Sequence, residues 1–136
     1  MTVFVCIDDN GGLTFNGRRQ SRDSALIKDV ATHTDDGVLY INEFSELLFE
    51  DSEASVISVS SPLDSAYPGG YAFVENLPLS QHKNKINRLV IYKWNRRYPS
   101  DKKLDISPAE LKMHLVESYD FPGTSHDKIT KEIYER

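Results

Sequence analysis

Apolar runs bounded by turn-forming residues set the order of elements along the chain. Val3 to Ile7 is a short β-branched run that stops at Asp8-Asp9-Asn10-Gly11-Gly12. Those five residues tolerate the positive φ of a tight turn, so a buried first strand should feed a loop. From about Asp23 the apolar positions Leu26, Ile27 and Val30 recur at helical spacing, with the Asp23 carboxylate near the positive end of the helix dipole. This pattern predicts a short amphipathic helix reaching about His33. Gly37 to Ile41 is a second buried-strand run, followed at once by Phe44, Leu47 and Leu48 on one helical face. Ala54 to Val59 alternates Val56 and Ile57 with serines, and Tyr71 to Val74 follows the turn Pro68-Gly69-Gly70, which gives two more strands. Arg88 to Trp94 carries the strongest strand signal. After a turn or short helical step over Asp105 to Glu110, Leu111 to Tyr119 reads as a late strand. The end of the chain is ambiguous: Thr124-Ser125-His126-Asp127 resembles a helix capping box, yet strand alternation also puts Ile129 and Ile133 on one face.

Strand, helix, strand, helix and then a strand-rich remainder predict an α/β sheet that is parallel early and antiparallel at its C-terminal strands, with few short helices. A length of 136 residues fits one domain over 1–136. Hydrophobic residues at 39% and charged residues at 27% are a globular composition rather than a disordered one. No stretch approaches the roughly 18 apolar residues of a membrane span, and the first residues run into a strand without a basic leader. The lone Cys6 lies inside the first apolar run, which suggests a buried packing residue in a reducing compartment and hence a cytoplasmic protein. A net charge of −5 argues against bulk attraction to nucleic acid or anionic membrane. Locally, however, Arg18, Arg19 and Arg22 form one basic cluster, and Lys93, Arg96 and Arg97 flank Trp94 and Tyr98 in another.

Several strings, in order, resemble dihydrofolate reductase over nearly the whole chain. Val5 to Leu13 through Asn16-Gly17 is similar to that family's first strand and following loop. Val38 to Ile41 with Phe44 to Leu48 resembles its second strand and helix. Arg88 to Tyr92, the turn through Tyr98-Pro99, and the ending Lys131 to Arg136 resemble its C-terminal hairpin region. The resemblance implies a carboxylate at the start of the first helix that helps to protonate a pterin ring, and Asp23 falls near that position. It also implies features that are replaced here. Gln20-Ser21 stands where a Pro-Trp pair should precede the carboxylate, and the loop before it is shorter. Ile41-Asn42 and Phe44 stand in place of the Gly-Arg and Thr that hold cofactor phosphate, and Glu75-Asn76 replaces the adjacent glycines beside the coenzyme. A carboxylate where backbone N–H groups should approach a pyrophosphate would repel it, so no ordinary NADPH site and no cofactor are expected.

Among candidate sites, the loop Asn16 to Asp23 leaves a strand and enters a helix, where open α/β sheets place ligand contacts. Its guanidinium groups could hold a phosphate or carboxylate through forked hydrogen bonds, or the loop could be solvated with Asp23 simply capping the helix. Trp94 and Arg96 belong to an aromatic and cationic interleave of the kind that stacks bases, or they could finish a strand end. Ser125-His126-Asp127 has the residue types of a hydrolytic triad, but three consecutive residues do not point at one another, which leaves His126 as a lone acid or base. His33, His82, His114 and His126 are isolated, and the aspartates lack calcium-loop spacing, so no metal site is expected.

The reading that follows is a divergent, non-catalytic member of the reductase-like fold that binds an anionic or nucleotide-like small molecule or a protein partner. Its ligand rim would be Asn16, Arg18, Arg19, Arg22 and Asp23, with Trp94 and Arg96 as a second choice. The alternatives are a reduced oxidoreductase using Asp23 on a pterin-like substrate, and an RNA-binding or RNA-cleaving protein using the two basic clusters.

Overall fold

A computed structural model describes residues 1–136. Its main feature is a seven-stranded sheet in the order β5-β4-β6-β1-β7-β10-β9. The strands are β1 (Thr2–Ile7), β4 (Leu39–Ile41), β5 (Val56–Ser58), β6 (Tyr71–Phe73), β7 (Arg88–Lys93), β9 (His114–Phe121) and β10 (Ile129–Glu135). Pairings from β5 through β7 are parallel, while β10 runs antiparallel to both β7 and β9. A second, three-stranded sheet joins β2 (Gly12–Phe15), β3 (Arg18–Arg19) and β8 (Lys102–Lys103). No helix is long and apolar enough to cross a membrane.

The central strands are apolar throughout because both of their faces are covered. Along β1, Val3 and Val5 join one core with Leu63, Leu79, Leu89 and Ile91, whereas Phe4 joins the other with Leu26, Val30, Val90 and Tyr92. The second core lies beneath α1 (Ser24–His33), whose buried positions Leu26, Ile27 and Val30 are those the helical spacing picks out. Asp23 caps this helix in an extended conformation, its side chain accepting a 2.9 Å hydrogen bond from the Ala25 N–H.

Three details differ from the sequence reading, and one ambiguity is resolved. The segment with Phe44, Leu47 and Leu48 is a 3₁₀ helix over Glu43–Phe49, and only Ser45 and Phe49 are buried in it. The ambiguous terminus is a strand, which buries Ile129 and Ile133 together on the α1 side of the sheet. Cys6 is half-buried rather than buried, packing against the α1-side core while also lining a crevice. Finally, α2 (Pro62–Ser65), the 3₁₀ helix Ser80–Lys85 and the strands β2, β3 and β8 carry no periodic apolar signal, being two to six residues long.

Candidate functional site

The parallel strands β1, β6 and β7 end side by side, and Cys6 near the end of β1, Glu75 beyond β6 and Trp94 just after β7 line one crevice. The N-terminus of α1 forms its wall through Ser21, Arg22, Asp23, Leu26 and Ile27. This is the position at which open α/β sheets gather ligand contacts. The crevice itself is narrow, about 10 Å³. It shares Arg22, Ile27 and Leu48 with a cleft of about 600 Å³ between α1 and the segments 47–48 and 51–55.

Asp23 is the most heavily bonded side chain of the site. Its Oδ1 accepts from the N–H groups of Ala25 and Thr124 and from the Thr124 hydroxyl, each at 2.9 Å. Its Oδ2 accepts from the Ser125 N–H at 2.8 Å and faces His126 Nδ1 at 2.9 Å. Burial by itself raises the carboxyl pKa, but the His126 contact and the Thr124 and Ser125 donors together hold it well below the usual carboxylate range. The 122–128 connection between β9 and β10 can close over Asp23 because residue 123 is glycine. A Cβ there would run into the Asp23 carboxylate and the His126 carbonyl oxygen.

His126 is almost fully buried, its ring stacked on Trp94 with centroids 4.7 Å apart. With Nδ1 directed at Asp23, its Nε2 faces the Ser21 hydroxyl at 2.9 Å and the Tyr98 hydroxyl at 3.1 Å. His126 therefore has neither Ser125 nor Asp127 as its side-chain partner. It joins Ser21 and Asp23, which lie two residues apart in the loop entering α1 and more than a hundred residues away in sequence.

A second carboxylate closes the other end of the crevice. Glu75 follows β6 and is buried; its Oε1 accepts from Arg19 Nε at 2.9 Å, and its Oε2 accepts from Arg19 Nη2 at 3.0 Å and from the Ser45 hydroxyl at 2.6 Å. Arg19 also donates to the Phe44 carbonyl at 2.8 Å and lies over the Phe44 ring. Its hydrogen bonds to Glu75 keep the guanidinium charged against the cost of burial. Burial first, and the Glu75 charge second, push the nearby Cys6 thiol well above its ordinary pKa. Beside this pair, Asn42 Nδ2 donates to Asn76 Oδ1 at 3.0 Å, tying the ends of β4 and β6 together.

The other candidate residues spread out. Asn16 sits in the exposed β2–β3 turn at φ 51°, its N–H donating to Asp101, and Arg18 is exposed on β3. Arg22 lines both the crevice and the cleft. Trp94 is buried beneath His126, whereas Arg96 is exposed over the Tyr98 ring. No group of three or more His, Cys, Asp and Glu side chains is arranged to hold a metal ion.

The architecture is a dihydrofolate reductase-like α/β fold. The solved structure described as dihydrofolate reductase from Enterococcus faecalis complexed with NADP(H) and RAB-propyl superposes with a TM-score of 0.68 at 10% sequence identity, over 99% of this chain and 95% of that one. No family model and no curated protein matches the sequence.

Proposed function

We propose that the chain is a small-molecule-binding protein built on the reductase fold, one that accepts an anionic ligand along α1 and carries out no hydride transfer. One observation supports this most strongly: the open volume lies along α1, while the ends of β1 and β6 are closed by Glu75 and its partners. The NADPH that a reductase would use does not fit the residues here. Glu75 stands where the resemblance places glycines beside the coenzyme, and its buried negative charge would meet a pyrophosphate. Arg19 cannot offset that repulsion without leaving Glu75. In the cleft, Arg22 and Lys28 supply cationic donors for the ligand's anionic group, Ile27 and Leu48 supply apolar contact, and Asp35, Asp51 and Glu53, which line the same cleft, supply acceptors for its polar hydrogens.

Two other readings have less support. A pterin reductase would need Asp23 to carry a proton, but its lowered pKa and five donors favour the ionised form. An RNA-binding surface would need Trp94 to stack on a base, and that ring is buried under His126.

A thermal-shift panel of NADPH, pterins, nucleotides and small carboxylates and phosphates tests the reading. A cleft ligand at a hundred times its dissociation constant adds about 2.7 kcal/mol of stability, and Arg22→Ala should weaken that gain. Stabilisation by NADPH, or no stabilisation by any anionic compound in the panel, would overturn it.

A further inference from the structure

We infer that Ser21, His126 and Asp23 form a nucleophilic centre for acyl transfer from short-chain carboxylic esters, an activity beyond the binding reading and opposed to the expectation of a non-catalytic protein. The geometry that such chemistry needs is present: nucleophile to base 2.9 Å, base to orienting carboxylate 2.9 Å, through the two different nitrogens of one ring. The base is fixed in place, since Trp94 stacks on the ring and the Asp23 carboxylate has four further donors that hold it still and ionised. With the Nδ1 proton directed at Asp23, Nε2 is left as an acceptor aimed at hydroxyl groups. Both hydroxyls near it are half-buried, and Ser21 lines the crevice.

The roles follow from this placement. Ser21 Oγ attacks the ester carbonyl as its proton passes to His126 Nε2, and Asp23 acts as a positioning residue that stabilises the imidazolium. Arg22, which lines the same crevice, is the cation available to the oxyanion. Collapse of the tetrahedral intermediate breaks the bond to the leaving oxygen, which takes the proton from Nε2. Water then adds to the acyl-serine, giving its proton to Nε2. That proton returns to Ser21 Oγ as the acyl bond breaks and a carboxylic acid is released. Tyr98 competes with Ser21 for the single Nε2 lone pair, so only the fraction with Ser21 as donor is poised to react. The size of the crevice sets the substrate class. Room for about one water-sized group beside Ser21 favours a small acyl portion such as acetyl, with the alcohol portion on the Arg22 side, where that residue also lines the larger cleft.

The test is incubation of the full chain with p-nitrophenyl acetate, following nitrophenolate release and mapping the acetyl group by peptide mass spectrometry. Acetylation at Ser21 is expected, with release lost in Ser21→Ala and slowed about a hundredfold or more in His126→Gln. Acetyl groups found only on lysines, tyrosines or the N-terminus, at a rate unchanged in Ser21→Ala, would overturn the inference. If His126→Gln fails to fold, the wild-type pH profile decides. Ser21 acetylation rising through one imidazole ionisation supports the centre, and a flat profile refutes it. The thermal-shift panel reads a different property, so either result can fail while the other stands.

Discussion

Helix α1 is fastened to the rest of the protein at both ends by an aspartate and a histidine, and the two fastenings put the same residue types to different use. At its N-terminus Asp23 is fully buried and faces His126 Nδ1, leaving Nε2 to the hydroxyls of Ser21 and Tyr98. Further along, Asp29 is about one-fifth exposed; it accepts from the Tyr92 hydroxyl at 2.7 Å and pairs with Lys131 at 3.1 Å. The Lys131 ammonium also lies 2.9 Å from His33 Nε2. Burial, followed by the Lys131 charge, lowers the His33 pKa, so that ring serves as a neutral acceptor. The two rings are used differently: His126 faces its aspartate through Nδ1 and hydroxyls through Nε2, whereas His33 turns one nitrogen, Nε2, toward both Asp29 at 3.6 Å and the Lys131 ammonium. The Lys131 cluster ties the helix to β10, whereas the Asp23 cluster ties it to a connection and leaves a serine lining a narrow crevice.

The sharpest way to separate the two fastenings is to remove each carboxylate. Asp23→Ala should cost about 3–5 kcal/mol, because the Thr124 and Ser125 N–H groups and the imidazole lose their common acceptor in a buried site. A loss under about 1 kcal/mol in urea unfolding would show that the connection 122–128 does not depend on it. Gly123→Ala should cost about 2 kcal/mol, since the new methyl group displaces the Asp23 carboxylate. A variant as stable as wild type would mean that the connection packs elsewhere. For Asp29→Ala roughly 1.5 kcal/mol is expected, as Tyr92 and Lys131 lose one acceptor while partial solvent access remains. Equal losses at the two aspartates would erase the contrast.

Acid also distinguishes them. His33 has a lower pKa folded than unfolded, so the unfolded chain binds the extra proton first, and stability should begin to fall as pH drops through the ordinary histidine value of about 6.5. Asp23 is likewise lowered. Its contribution is complete above the unfolded carboxylate value of about 4 and is lost as pH falls from there toward the folded value. His33→Gln should flatten the upper limb of a stability-against-pH curve. Asp23→Asn should flatten part of the lower one, with Asp8 and Asp105, also lowered, supplying the remainder. A curve whose lower limb is unchanged by Asp23→Asn would contradict the assignment. The smallest effect belongs to Ser21→Ala, about 1 kcal/mol or less for one half-buried hydroxyl. A much larger loss would mark Ser21 as a structural member of the cluster.

How much of this was legible in the sequence depended on whether the signal was local. Strands β1 and β7 are unbroken apolar runs covered on both faces and helix α1 buries a face that repeats at 3.6 residues, and their spans match the apolar pattern within one or two positions. The strand at the terminus could not be told from a helix locally, because Ile129 and Ile133 share a face in either conformation. It was decided by pairing with β7 and β9, a long-range event. At the site, Asp23 was legible as a helix cap. Its partner was not, since the Asp23–His126 contact spans 103 residues and leaves no spacing to recognise. The arginines looked like one cluster because they adjoin in sequence, but β3 turns Arg19 inward to Glu75 and leaves Arg18 outside. Only the fold separates them.

The most direct measurement of the fastening at the N-terminus of α1 is a long-range ¹H–¹⁵N NMR spectrum of the His126 ring, taken where the imidazole is neutral. The expected result is a proton on Nδ1, slow to exchange and lost in Asp23→Ala, with Nε2 unprotonated. A ring protonated on Nε2 with Nδ1 bare, or one averaging rapidly between tautomers, would contradict both the Asp23 anchor and the orientation of Nε2 toward Ser21.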